Sequence, residues 1–312
     1  MMTVARLCGQ ALDRAQLYTQ EHEVAEVLQR ALLPPALPHV PGFTFDAAYE
    51  TGGQKAEVGG DWYDAFRLPR GHVVLCVGDV VGRGLRAATL MGQLRHTIRT
   101  VAFESYSPSM MIERAQAVLR HSYGREAMAT AAVGVLDPFE STLTYSTAGH
   151  PPPAVMRGND AIERLELGSL PLGVAHPGTF PERVVQLSAG DAVIFYTDGL
   201  IEATRDVKEG EERLLTALRT ERDASSYPRA TAILRSVLGA AVPKDDVAVL
   251  TVGVIATDDD RVDITLAATP VITAQVRHAF RRLARKIGLG DDQSFGVAVA
   301  LGEALNNAIE HA

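Results

Sequence analysis

The 312-residue chain has almost no cysteine; Cys8 and Cys76 are the only two, and they lie far apart. Two isolated thiols make neither a disulfide framework nor a metal-ligand spacing, so cysteine usage points to the cytoplasm. Long apolar runs are lacking as well. No stretch approaches the roughly 20 residues needed to span a bilayer, and the N-terminus has no basic-then-apolar leader pattern. Nor is there a basic stripe with interleaved aromatics, and a formal net charge of −8 argues against a nucleic-acid binder. The hydrophobic share of 46% and charged share of 22% are those of a globular protein with a full-sized core.

Residues 3–33 read as one helix, with Leu17, Val24, Leu28 and Ala31 on one stripe that Glu21 interrupts. Pro34-Pro35 stops it, because the residue before a proline is pushed out of the α region. Two readings stand: an amphipathic element packed on its own domain, or a coiled-coil signalling linker that pairs two copies. The chain opens as if inside a helix, which fits an upstream sensor domain.

Between Phe43 and Ile255 the pattern is mostly β. Strands are expected over Phe43–Tyr49, His72–Val77, Ala131–Leu136, Leu143–Thr147, Val184–Leu187, Ala192–Tyr196 and Val247–Val254. The last is apolar on both alternating faces, as in a strand covered on both sides. Asp137-Pro138-Phe139-Glu140 reads as a hairpin turn. Helices are expected over Leu85–Phe103, Pro108–Tyr123 and Tyr227–Leu238, the last capped by Ser225 or Ser226 with Pro228 in its first turn. The mixture predicts an α+β layered domain. After the polar break at Asp258-Asp259-Asp260 come a strand at Asp263–Ala267, a helix with Val276, Phe280, Leu283 and Ile287 on one stripe, and a last helix from about Gln293. This closing part is too small to bury both helices alone and reads as the start of a further domain.

Four Asp-bearing segments stand beside strand ends: Gly59-Gly60-Asp61, Val77-Gly78-Asp79-Val80, Thr197-Asp198-Gly199 and Lys244-Asp245-Asp246-Val247. A carboxylate at the tip of a buried strand is exposed enough to bind a ligand and rigid enough to keep its geometry. Several such tips brought together make an all-oxygen site suited to Mg²⁺ or Mn²⁺. That chemistry points to metal-assisted hydrolysis of a phosphate ester.

Five segments carry a resemblance: Gly59-Gly60-Asp61-Trp62-Tyr63-Asp64, Gly78-Asp79-Val80-Val81-Gly82-Arg83-Gly84, Ala148-Gly149-His150-Pro151-Pro152, Tyr196-Thr197-Asp198-Gly199-Leu200 and Asp245-Asp246-Val247-Ala248. In this order they resemble the bacterial PPM-type protein serine phosphatases of the stage II sporulation E and stress-response regulator branch, over about Val24–Ile255. The resemblance implies a four-layer αββα sandwich with a two-metal site. By motif position Asp79 would bridge the ions, with the Val80 carbonyl as a further ligand. Asp61 would serve the second ion, and Asp198 and Asp245 would complete the shell of the first; Asp246 is the adjacent candidate for the Asp245 role.

Two departures from the family pattern concern the substrate. Arg83 stands where many relatives carry His; it would grip phosphate or pair on the surface. Val81 stands where eukaryotic members carry a His assigned as general acid. His150, in Ala-Gly-His-Pro-Pro-Pro, reads more readily as a turn stabiliser than as a proton donor.

The last residues, Glu303-Ala304-Leu305-Asn306-Asn307 onward, resemble the first nucleotide-site helix of the anti-sigma-factor kinases in the histidine-kinase-like ATPase superfamily. Glu303 and Asn307 lie four apart, on one helix face. The resemblance makes such a Glu a base and such an Asn a Mg²⁺ ligand; the glycine-rich boxes of that site are absent from these 312 residues.

The expected organisation is an N-terminal helix and linker over 1–41, a phosphatase domain over 42–256 and a partial α/β ATPase-like segment over 261–312. The resemblance implies a Mn²⁺- or Mg²⁺-dependent protein serine phosphatase holding two ions, acting on a phosphorylated anti-sigma-factor antagonist in a partner-switching pathway. Two competing readings are a non-catalytic signalling scaffold of the same fold and a hydrolase of small phosphoesters.

Overall fold

Strand β10 (Val247–Val254) is buried at every position, as two apolar faces demand. It pairs antiparallel with β1 (Phe43–Glu50) on one side and β9 (Ala192–Tyr196) on the other. The short strands β6 (Ala154–Met156) and β7 (Ile162–Arg164) extend this sheet to the order β1-β10-β9-β6-β7. A second antiparallel sheet has the order β2-β3-β4-β5-β8. Its strands are β2 (Trp62–Arg67), β3 (Val73–Val80), β4 (Ala129–Asp137), β5 (Thr142–Ala148) and β8 (Arg183–Gln186). This is a computed structural model, describing residues 9–10, 12, 14, 16, 31–52, 59–124, 126–174, 180–203, 206–221, 229–255, 276, 280, 284 and 289–310.

The two sheets pack face to face. Val73, Leu75, Val77 and Ala132 of one meet Val193, Phe195, Leu250 and Val252 of the other in a single core. Because strand side chains alternate, Val74 and Cys76 look outward and pack under α1 (Leu85–Glu104) and α2 (Pro108–Tyr123). On the far side Ile194, Tyr196 and Val249 pack under α3 (Gly199–Glu202), α4 (Val207–Thr220) and α5 (Ala230–Leu238). The result is the expected αββα sandwich. Phe195 is fully buried between the sheets, and its truncation to Ala would cost about 3–5 kcal/mol through lost burial and a residual cavity.

Local chemistry sets the connections. The Asp137 carboxylate accepts hydrogen bonds from the amides of Phe139 (2.8 Å) and Glu140 (3.1 Å), forming the expected hairpin turn, with Asp137 opposite Thr142. Ser107 caps α2 by accepting from the Met110 amide at 3.2 Å, with Pro108 in the first helical position.

Five elements lie beyond the sequence reading: β2, β6, β7, α3 and α4. Helix α5 starts at Ala230, and the expected cap residues Ser225 and Ser226 lie outside the described residues. So do Leu17, Val24 and Leu28 of the N-terminal stripe, the strand expected at 263–267, and Leu283 and Ile287. A final helix, α6 (Asp291–Glu310), matches the expected last helix.

Candidate metal centre

Asp61 enters β2, Asp79 lies one residue before the end of β3, Asp198 follows β9, and Asp245 and Asp246 lead into β10. Antiparallel pairing of β2 with β3 sets Trp62 opposite Gly78, so Asp61 and Asp79 sit at the same end of the second sheet. The approach to β2 runs against the end of β3: the Val80 amide donates to the Gly60 carbonyl at 3.2 Å. A Cβ on Gly60 would stand 2.2 Å from the Val80 carbonyl oxygen, and one on Gly59 2.6 Å from the Asp246 carboxylate carbon. Only glycines permit this cradle. A Cβ on Gly78 would likewise collide with the Trp62 ring at 2.3 Å, so that indole lies flat against the strand that carries Asp79.

The electrostatics are those of uncompensated negative charge. Burial first, then the Asp79 carboxylate, push Asp61 well above the ordinary range, while the Thr197 hydroxyl pulls it back. Asp61 is 2% exposed, and its Oδ2 is buried with no hydrogen-bond partner among the described residues. Asp79 is pushed up to about 6, by burial first and then by Asp198, Asp245 and Asp246, against an opposing contribution from Asp61. Asp198 is raised by burial and by Asp245, with the Gly199 amide opposing. The five acids named from the sequence thus lie at one end of the two sheets, with Asp79 within electrostatic reach of the other four.

The adjacent pair divides in role. Asp246 is buried; its Oδ1 accepts from the Gly52 amide at 2.9 Å and its Oδ2 from the Tyr49 hydroxyl. It ties β1 and the following loop to β10. Asp245 is exposed, its side chain 56% accessible, and stands 3.5 Å from the Arg83 guanidinium. Tyr49 was missed at the sequence level. It is 197 residues from Asp246, and only the β1–β10 register, which sets Tyr49 opposite Ala248, reveals the pair.

The donors fit hard divalent cations. They are oxygen atoms, one is buried without a partner, and the nearby acids hold pKa values that a cation would lower. Among the described residues, no three His, Cys, Asp or Glu side chains stand close enough to enclose an ion by themselves. A Mg²⁺ or Mn²⁺ shell filled by water and a main-chain carbonyl does not require that.

His150 has a structural place. Its Nε2 lies 3.1 Å from the Tyr196 carbonyl, which can only accept, so Nε2 carries the proton and Nδ1 accepts from the Thr130 hydroxyl at 2.8 Å. Burial depresses its pKa to about 3. A neutral imidazole with both nitrogens engaged joins two strands; it is not poised to donate a proton. On α6, Glu303 and Asn307 are both exposed.

Comparison with known proteins gives the class. Residues 69–255 match the family model of Stage II sporulation protein E (SpoIIE), and residues 266–312 match that of the histidine kinase-like ATPase domain. The chain belongs to the SpoIIE family of PPM phosphatases and carries a kinase-like ATPase segment behind that domain. The crystal structure of the RsbU and RsbW domains of Rv1364c from Mycobacterium tuberculosis superposes with a TM-score of 0.65 at 33% identity, covering 90% of this chain and 78% of that one. Protein IcfG of Synechocystis sp. is 27% identical over 227 residues, 64% of this chain and 35% of that protein. The phosphoserine phosphatase RsbU of Bacillus subtilis is 23% identical over 183 residues, 58% of this chain and 53% of that protein. The chain thus spans between about a third and about half of the length of these two curated relatives.

Proposed function

We propose that the chain is a divalent-metal-dependent protein serine phosphatase whose substrate is a phosphorylated anti-sigma-factor antagonist in a partner-switching pathway. The observation that carries the chemistry is the pairing of buried Asp61 with half-buried Asp79, set by the Gly59-Gly60 cradle beside Asp198 and Asp245, with an Asp61 oxygen that has no partner among the described residues. A scaffold gains nothing from clustered acids that repel one another. The family membership and the kinase-like segment support the partner-switching part, since a kinase and a phosphatase of one antagonist oppose each other.

In this reading Asp79, the Val80 carbonyl, Asp61, Asp198 and Asp245 would hold the two Mn²⁺ or Mg²⁺ ions, with Asp79 shared between them. Such ions supply a nucleophile at neutral pH and neutralise the phosphoryl oxygens. Asp246, occupied by Tyr49 and Gly52, holds the Asp245 segment in place. Arg83, on the loop between β3 and α1, is loosely held by Asp245 and positioned to leave it for an incoming phosphate. Neutral and enclosed, His150 is not the group that protonates the departing seryl oxygen. The division into 1–41, 42–256 and 261–312 belongs to the same proposal, as do a cytoplasmic location and pairing of two copies through the N-terminal helix.

The test is phosphate release from a phosphoseryl protein during Mn²⁺ titration, run beside a small chromogenic phosphate ester. Metal-dependent release from the protein substrate in preference to the ester supports the reading. Binding of the phosphoprotein without release, at any Mn²⁺ concentration, favours the scaffold.

A further inference from the structure

Strand β2 carries a second carboxylate, three residues beyond Asp61, that the metal site does not use. Asp64 is 1% exposed and faces the helical layer, among Trp62, Phe66, Met91 and Leu94. Two arginines of α1 converge on it. Arg99 binds it through both forks, Nη2 to Oδ1 at 2.8 Å and Nε to Oδ2 at 3.2 Å. Arg95 Nε stands 3.0 Å from Oδ2 as an ion pair, off the hydrogen-bond axis. Arg95 and Arg99 are four residues apart and so share one face of α1. Arg99 also lies over the Phe66 ring, 4.2 Å from its centroid.

Stability alone does not account for this cluster. A buried ion pair is commonly no better than apolar side chains of equal volume, because desolvation offsets the attraction. What a bidentate pair adds is geometry: it fixes the rotation and the axial position of α1 on β2. Both of those elements start beside the metal centre. β2 begins at Asp61, and α1 begins five residues after Val80, across Gly82 and Gly84 at φ 123° and 77°. A loop so rich in glycine does not fix the start of α1 by itself.

We propose that Asp64, clamped by Arg95 and Arg99, is a positioning residue that sets the placement of Asp61 relative to Asp79 and so the affinity for the divalent ions. The inference rests on the metal reading above. Loss of the clamp lets α1 slide on β2, and the Val80–Gly84 loop carries that shift to Asp79.

The full chain carrying Asp64→Asn, Arg99→Gln or Arg99→Lys is titrated with Mn²⁺ by calorimetry, and its melting temperature is read with and without the ion. About a tenfold rise in Mn²⁺ Kd is expected for Asp64→Asn and Arg99→Gln, the range seen for groups that orient ligands, with partial recovery in Arg99→Lys. Arg99 is one-third exposed, so its variants remain informative if Asp64→Asn does not fold. Variants that melt earlier yet bind Mn²⁺ as wild type does would show a merely structural role and overturn the clamp. A wild-type chain that binds no Mn²⁺ would overturn the metal reading, and the clamp with it.

Discussion

The Gly60 Cα and the Val80 carbonyl oxygen are in such close contact that no Cβ fits between them; it would stand 2.2 Å from that oxygen and 2.8 Å from the Val80 nitrogen. The loop that presents Asp61 is thereby pressed against the end of the strand that presents Asp79. Gly60→Ala must part the two, because the obstacle is backbone and cannot rotate away. The expected result is a folded protein with Mn²⁺ affinity and turnover lowered at least tenfold, the scale on which ligand orientation acts. Circular dichroism and calorimetry read the two effects separately, and wild-type metal affinity in this variant would remove the cradle from the argument.

Asp79→Asn is expected to abolish phosphate release while stabilising the metal-free protein. The folded-state pKa of about 6 lies above the ordinary aspartate value of 3.8, so the folded state binds the proton more tightly than the unfolded one. That contribution to stability is full below pH 3.8 and is lost as pH rises through 6, at up to about 1.4 kcal/mol per unit. Subtracting the variant's stability profile from that of the wild type should expose this fall between pH 4 and 6 in the absence of metal. A flat difference would mean that Asp79 does not sit among the other acids.

His150 gives the opposite slope. Buried neutral with a pKa of about 3 against the ordinary histidine value of 6.5, it is protonated more readily in the unfolded chain. Its contribution is present above pH 6.5 and is lost as pH falls towards 3, again at up to about 1.4 kcal/mol per unit. His150→Gln should blunt acid unfolding over that window and leave phosphate release at pH 7.5 within a few-fold of wild type. A fall of a thousandfold or more would return His150 to the chemistry.

Strands β3, β4, β5, β9 and β10 and helices α1 and α2 were legible because each carries its own apolar pattern. Strand β2 was not, since Asp64 sits mid-strand and looks like a loop residue until Arg95 and Arg99, more than 30 positions later, neutralise it. Helix α4 did carry a usable signal: Asp206 caps it through the Lys208 amide at 2.9 Å, and Gly210, Leu214, Ala217 and Leu218 form its buried stripe. Gly210 is required there, since a Cβ would strike the Ile201 carbonyl at 1.9 Å. At the metal centre the acids were readable from their strand-end positions. The separate duties of Asp245 and Asp246 were not, because Tyr49 and Gly52 come from the far end of the domain.

The N-terminal segment meets the phosphatase domain at a definite point. Leu32 and Leu33 pack against the layer of α1 and α2, and a Cβ on Gly92 of α1 would stand 3.0 Å from a Leu32 methyl. The obstacle is the flexible end of a side chain, so Gly92→Ala should be tolerated, the helix-propensity gain of about 1 kcal/mol offsetting a small shift of Leu32. Gly92→Leu is different: four heavy atoms in that space must displace Leu32. Leu32→Ala alone should cost roughly 1–2 kcal/mol, the burial value of part of a leucine. Combined, the two changes refill the same space, and the double variant should be more stable than the sum of the single effects predicts, by at least ~0.5 kcal/mol. Urea unfolding of the four proteins closes the cycle. Strict additivity would show that residues 32 and 92 do not touch, and would leave the N-terminal helix without a described route to α1, the helix that carries Arg95 and Arg99.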